Sequence, residues 1–136
     1  MKHFPAWTTV ALLSLPGLAA ADPFDGSSPL LCATMQTRLC SADAECELQA
    51  ASENDIPRFL KVSVQNRKVT GTRPSGATID ASIDAVRHSK GNMFLQGAQE
   101  AFAWTMAIGQ QDGSMTLTAV NADNGMVIFG ACTKPE

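Results

Sequence analysis

The chain has 136 residues, 45% hydrophobic and 17% charged, with 13 acidic against 10 basic residues and a formal net charge of −3. This length bounds it to one domain with a modest core. The charges are interspersed with no basic run, which excludes the electrostatic footprint of a nucleic-acid binder and argues against an anionic membrane surface as partner.

Residues 1–21 read as a secretory signal. Lys2 supplies the positive start and residues 10–15 a short apolar run. Pro16 and Gly17 break that run, and Ala19, Ala20 and Ala21 form a small-residue cleavage site ahead of Asp22. The run is shorter than the roughly 20 residues needed to span a bilayer. No cysteine follows the signal directly, so a lipid anchor is not expected, and no twin arginine precedes it. The expected product is residues 22–136, one β-rich domain in a periplasm or outside the cell, with no membrane span after cleavage. Loss of Lys2 takes the ten basic residues to nine, against 13 acidic.

Four cysteines follow: Cys32, Cys40, Cys46 and Cys132, with 7, 5 and 85 intervening residues. An even number in an exported domain indicates two disulfides. These spacings match neither the short ones of zinc sites nor the C-x-x-C of redox sites. Three pairings are open, and the expected one is Cys40–Cys46 with Cys32–Cys132. The first closes a short loop, and the second joins the ends of the exported chain.

In chain order, residues 31–40 suggest a strand with Leu31, Ala33, Met35 and Leu39 on one face. Residues 44–53 contain good helix formers behind Asp43 as a cap, and Ser28-Pro29 also suits a helix start, so a short N-terminal helix is allowed. Residues 59–64 alternate, with Leu60, Val62 and Val64 inward, and residues 68–72 follow. Residues 78–88 alternate as one strand, with Ile79, Ala81, Ile83 and Ala85 on one face. Residues 93–97 form the next strand. Residues 101–108 place Phe102, Trp104, Met106 and Ile108 on one side against a uniformly small face of Ala101, Ala103, Thr105 and Ala107. The last hairpins join residues 114–120 and 126–132 through Asp112-Gly113 and Asn124-Gly125. The expected fold is all-β: a single antiparallel barrel or strongly curved sheet of about eight strands, stabilised by disulfides.

Several segments together resemble a family of small exported proteins of Gram-negative bacteria. They are Cys32-Ala33-Thr34, the Cys40/Cys46 pair, Ile56-Pro57-Arg58-Phe59-Leu60-Lys61-Val62, Phe94-Leu95-Gln96-Gly97 and Ala103-Trp104-Thr105-Met106. Gly113-Ser114-Met115-Thr116 and the closing Phe129-Gly130-Ala131-Cys132-Thr133 complete the set. The resemblance covers nearly all of residues 22–136. It departs at Ser41-Ala42-Asp43-Ala44-Glu45, where the family has a glycine-rich turn. It implies an exported β-rich protein of bacterial origin. The family has no assigned activity, so no catalytic residue is carried over.

No motif for a nucleophile, a metalloprotease or a phosphate loop is present, and no cofactor or metal motif is found. His88 is the one histidine of residues 22–136. With Asp80 or Asp84 it gives a minor hydrolase reading. The two aspartates lie four strand residues apart, about 13 Å, wider than the usual glycosidase pair at roughly 5–9.5 Å. Met93, Met106, Met115 and Met126 on successive strands give a minor copper-handling reading, although methionine also fills irregular cores. Phe102 and Trp104 are the candidate residues for a ligand or partner surface. The leading expectation is a non-catalytic binding protein of the cell envelope, for a small apolar ligand or a protein partner. An inhibitor of an envelope-attacking enzyme such as lysozyme is the alternative.

Overall fold

The computed structural model describes residues 20–136. All but the last two residues of the expected signal therefore lie outside the described residues. The strands are β1 (Leu30–Ser41), β2 (Ala44–Gln49), β3 (Phe59–Ser63), β4 (Lys68–Thr72), β5 (Thr78–Ser82), β6 (Ala85–Ser89), β7 (Asn92–Gln99), β8 (Phe102–Gly109), β9 (Ser114–Val120) and β10 (Asn124–Thr133). A single turn of 3-10 helix (Ala51–Asn54) links β2 to β3.

All ladders are antiparallel, and the sheet runs β5-β4-β3-β1-β10-β9-β8-β7-β6. Its outermost strands, β5 and β6, are consecutive in the chain, separated by Ile83 and Asp84 alone. Two residues cannot bridge the two edges of a flat nine-strand sheet, so the sheet curls into a half-barrel until its edges meet. The corner is fixed by backbone bonds to both sides: Ile83 N–H donates to Arg67 O at 3.0 Å and Asp84 N–H to Gln96 O at 2.8 Å. Above the corner β5 packs beside the upper half of β7 without a backbone ladder among the described residues. That unladdered seam is the weak line of the curl.

Three expectations are corrected here. Residues 78–88 are two strands, because the chain leaves one edge and joins the other at Ile83-Asp84. Residues 44–53 are β2 followed by the 3-10 turn. The helix formers there yield to strand pairing with β1 and to the Cys40–Cys46 bridge, which ties the hairpin next to its turn. Ser28-Pro29 leads directly into β1 and starts no helix. In β1 the side-chain phase also differs. A register shift between Thr34 and Gln36 marks a bulge, which swaps the faces. Leu30, Cys32 and Thr34 point inward before it and Thr37 after it, leaving Met35 67% exposed.

The core is layered by register. One inward row runs Val86, Leu95, Met106, Leu117, Ile128 and Thr37 across six strands. The row below it contains Met93, Ile108 and Met115. Phe24 packs against this end, and its N–H donates to Gln110 O at 2.9 Å. The Cys32–Cys132 bridge joins directly opposed residues of β1 and β10 inside the core. Both disulfides follow the expected pairing.

Candidate functional site

The inward side chains of β8 are Phe102, Trp104, Met106 and Ile108, as strict alternation requires. Trp104 stands opposite Gly97 on β7 and Ala119 on β9. Both neighbours are small: the indole packs down onto Gly97, and Ala119 lines the cavity beside the ring. Gly97 is obligatory: a Cβ there would sit 2.7 Å from Trp104 Cζ2 and collide with the carbonyl oxygen of Ser82 across the seam.

Above this layer the half-barrel encloses a cavity of about 320 Å3, at the small end of the range for ligand pockets. Phe102, Trp104, Met106 and Ala119 form one wall, and Leu60, Val69, Ile79 and Ala81 the other. Ile56 and Pro57, which follow the 3-10 turn, form the roof. The roof is pinned from below, since the buried Thr34 hydroxyl donates to Pro57 O at 2.7 Å.

Polar groups gather at the solvent side, where Asn54, Arg73, Gln99 and Glu100 complete the lining. Arg73 Nη1 donates to Asp55 O at 3.2 Å, and its Nη2 lies 3.5 Å from Glu100 Oε1. The Asp55 carboxylate accepts from Ser75 N at 2.8 Å and Ser75 Oγ at 2.7 Å. These Ser75 bonds, with the Arg73 charge as a smaller contribution, hold the Asp55 carboxyl below its ordinary pKa. Asp55 and Glu100 are both left-handed, at φ 52° and 54°.

The Trp104 side chain in the cavity wall also carries a buried donor, sealed from the cavity itself. Trp104 is 8% exposed, and its Nε1 has no hydrogen-bond partner. An indole N–H can only donate, and leaving it buried and unpaired costs about 1–3 kcal/mol. The other buried unpaired side-chain atom among the described residues, Thr37 Oγ1, does not line the cavity.

Of the remaining sequence candidates, His88, Asp80 and Asp84 lie outside the cavity lining. His88 is exposed, with Gln110 Nε2 at 3.1 Å from its Nδ1. Asp80 pairs with Lys68 at 2.7 Å on the outer face, and Asp84 is exposed at the corner. Met106 and Met126 line the cavity, whereas Met93 and Met115 are buried in the packed layer below. Among the described residues no three His, Cys, Asp or Glu side chains are grouped closely enough to hold a metal ion. A second depression of about 530 Å3 lies on the outer face of β3 to β5 and is lined largely by polar side chains such as Lys61, Thr70 and Asp80.

The sequence pointed to Phe102 and Trp104 but not to Gly97, Ala119, Arg73 or Glu100. The small residues matter only through cross-strand register, and the mouth residues only through the curl that brings two distant turns together. No helix among the described residues is long and apolar enough to cross a membrane. No protein-family model, curated protein or solved structure matches this chain.

Proposed function

We propose that this protein is an exported, non-catalytic binding protein that holds a small, mainly apolar ligand in the cavity beside Trp104. The observation that carries the reading is an apolar cavity of about 320 Å3 walled by Trp104 and the small Ala119 beside it. At about 30 Å3 per water-sized group, it accommodates roughly ten non-hydrogen atoms. Export rests on the leader sequence and agrees with two disulfides, which persist in oxidising compartments. The periplasm or the cell exterior is the proposed location.

A second reading, a protein partner such as an envelope-attacking enzyme, draws support from the outer face. Met35, Phe59 and Phe129 are 67%, 49% and 42% exposed there, around the β1 bulge.

Native mass spectrometry on protein purified from its own cell envelope separates the two. A non-covalent small-molecule adduct, absent from an Ala119→Leu variant that fills the cavity, is the expected result. A co-purifying protein, with no adduct on wild type, would overturn the ligand reading in favour of the second.

A further inference from the structure

We propose a second site, in the depression on the outer face of β3 to β5, that binds an acidic sugar: a ring bearing hydroxyls and a carboxylate. It is separate from the cavity and does not rest on the cavity reading. The depression measures about 530 Å3. At about 30 Å3 per water-sized group it takes roughly 18 non-hydrogen atoms, the size of one to two sugar rings.

Charge is the first argument. The chain carries a formal net charge of −3, yet this depression is cationic. Its carboxylate, Asp80, is neutralised by Lys68 at 2.7 Å. Arg58 and Lys61 also line it, are exposed, and enter no ion pair among the described residues. Two uncompensated cations lining one depression select an anion.

Register is the second. On the outer face Lys61 stands between Leu31 and Thr70. Phe59 is two residues away on the same face, about 6.7 Å along the strand, and is 49% exposed. The Arg58 guanidinium carbon lies 5.8 Å from its ring centroid. The face of an aromatic ring is negative and the C–H bonds of a sugar are weakly positive, so the two stack. A sugar ring seated against Phe59 brings a carboxylate on its rim within reach of Lys61.

The hydroxyls favour a sugar over an acidic peptide. Thr70, Thr72 and Thr78 line the depression. Their hydroxyls make no hydrogen bond among the described residues, unlike those of Thr34, Thr105, Thr118 and Thr133. A threonine hydroxyl both donates and accepts. Sugar hydroxyls answer both roles, whereas peptide carboxylates only accept.

Three probes are titrated separately into the intact protein at neutral pH: digalacturonate, lactose as a neutral disaccharide, and triglutamate as an acidic peptide. In a 1H–15N spectrum digalacturonate shifts the backbone amides of Lys61, Thr70 and Thr78 and leaves the Trp104 indole signal unmoved. An exposed ion pair is worth about 1.4- to 5-fold in affinity, so lactose, which forms neither pair, binds about 2- to 30-fold more weakly. Arg58→Gln/Lys61→Gln alters two exposed side chains and removes this difference by weakening digalacturonate alone. Phe59→Ala weakens both sugars.

Lactose binding as tightly as digalacturonate overturns the inference, as does tighter binding of triglutamate. Shifts confined to other parts of the protein, or no binding of digalacturonate, overturn it too. None of these results decides the cavity reading, which stands or falls with the adduct test above.

Discussion

Arg73, just after β4, and Glu100, in the β7–β8 turn, meet at 3.5 Å across the seam where β5 and β7 share no ladder. The pair joins the two sides of the curled sheet at the one place where the backbone does not. Arg73 is the fixed member, with its side chain 22% exposed and a second bond to Asp55 O, while Glu100 is 64% exposed. An exposed pair of this kind contributes about 0–1 kcal/mol to stability, so its main effect is on opening of the mouth. Glu100→Gln is expected to change unfolding free energy by less than about 1 kcal/mol and to speed ligand dissociation roughly two- to five-fold. Stopped-flow dissociation of butylbenzene checks this, and an unchanged rate would show that ligand does not pass between these turns.

Gly97 is the tightest point of the seam. Any side chain there meets Trp104 and the Ser82 carbonyl together. The backbone and the buried ring have little room to give, so Gly97→Ala is expected to cost about 1–3 kcal/mol, as overpacking does. It also displaces the indole and so changes Trp104 fluorescence. Urea unfolding followed by far-UV circular dichroism measures the first effect. Wild-type stability in Gly97→Ala would mean that the seam is looser than described.

The two disulfides are expected to differ in weight. Cys32–Cys132 closes a sequence separation of 100 and Cys40–Cys46 one of 6. In the chain-entropy model these correspond to about 4.7 and about 2.4 kcal/mol. The double variant Cys40→Ala/Cys46→Ala should lose the smaller amount and retain ligand binding, because β2 lies off the main strand path. Cys32→Ala/Cys132→Ala should lose more, both from the longer loop and from emptied core volume. Paired denaturation curves decide the order, and a greater loss in the first variant would contradict it.

Acid should act late. Asp25, Asp55 and Asp112 each accept hydrogen bonds from the serine side, Ser27, Ser75 and Ser114, and each has its pKa lowered from 3.8 chiefly by those bonds. A carboxyl lowered in the folded state contributes stability that is fully present above its unfolded pKa. That contribution is lost as the pH falls through the folded value. The contribution of these three groups is therefore intact above pH 3.8 and declines below it. For Asp55 the loss releases the Ser75 contact that steadies the turn beside Arg73. Asp55→Asn is expected to flatten the stability profile below that pH relative to wild type. Unfolding curves taken between about pH 3 and pH 7 measure the difference, and parallel profiles would contradict the role given to Asp55.

Much of the fold was legible because the sheet signals are local. In β8, Phe102, Trp104, Met106 and Ile108 alternate with small residues, and the structure turns them inward. Asp112-Gly113 marks the β8–β9 turn, whereas the last turn falls at residues 121–123 and Asn124-Gly125 already belong to β10. The phase of β1 was misread because alternation carries no mark of an inserted residue: the bulge at Met35 lets Leu39 keep the expected face while Leu31 and Ala33 lose it. The break at Ile83-Asp84 was hidden for a different reason. Its residues continue the alternation, and only closure of the sheet demands a corner there. The cavity was less legible still. It depends on Ala119 standing beside Trp104 from one strand and on Gly97 seating the indole from another, and neither residue signals a site on its own.

If small apolar molecules occupy the interior beside Trp104, as proposed, the methionines report on it from fixed places. Met106 and Met126 line the cavity, Met93 and Met115 lie in the packed layer below, and Met35 is on the outer face. The direct measurement is a 13C-methyl spectrum of methionine-labelled protein titrated with butylbenzene. The expected result is saturable shifts at Met106 and Met126, with Met35, Met93 and Met115 unmoved. Shifts at Met35 alone, or at no methionine, would contradict the account.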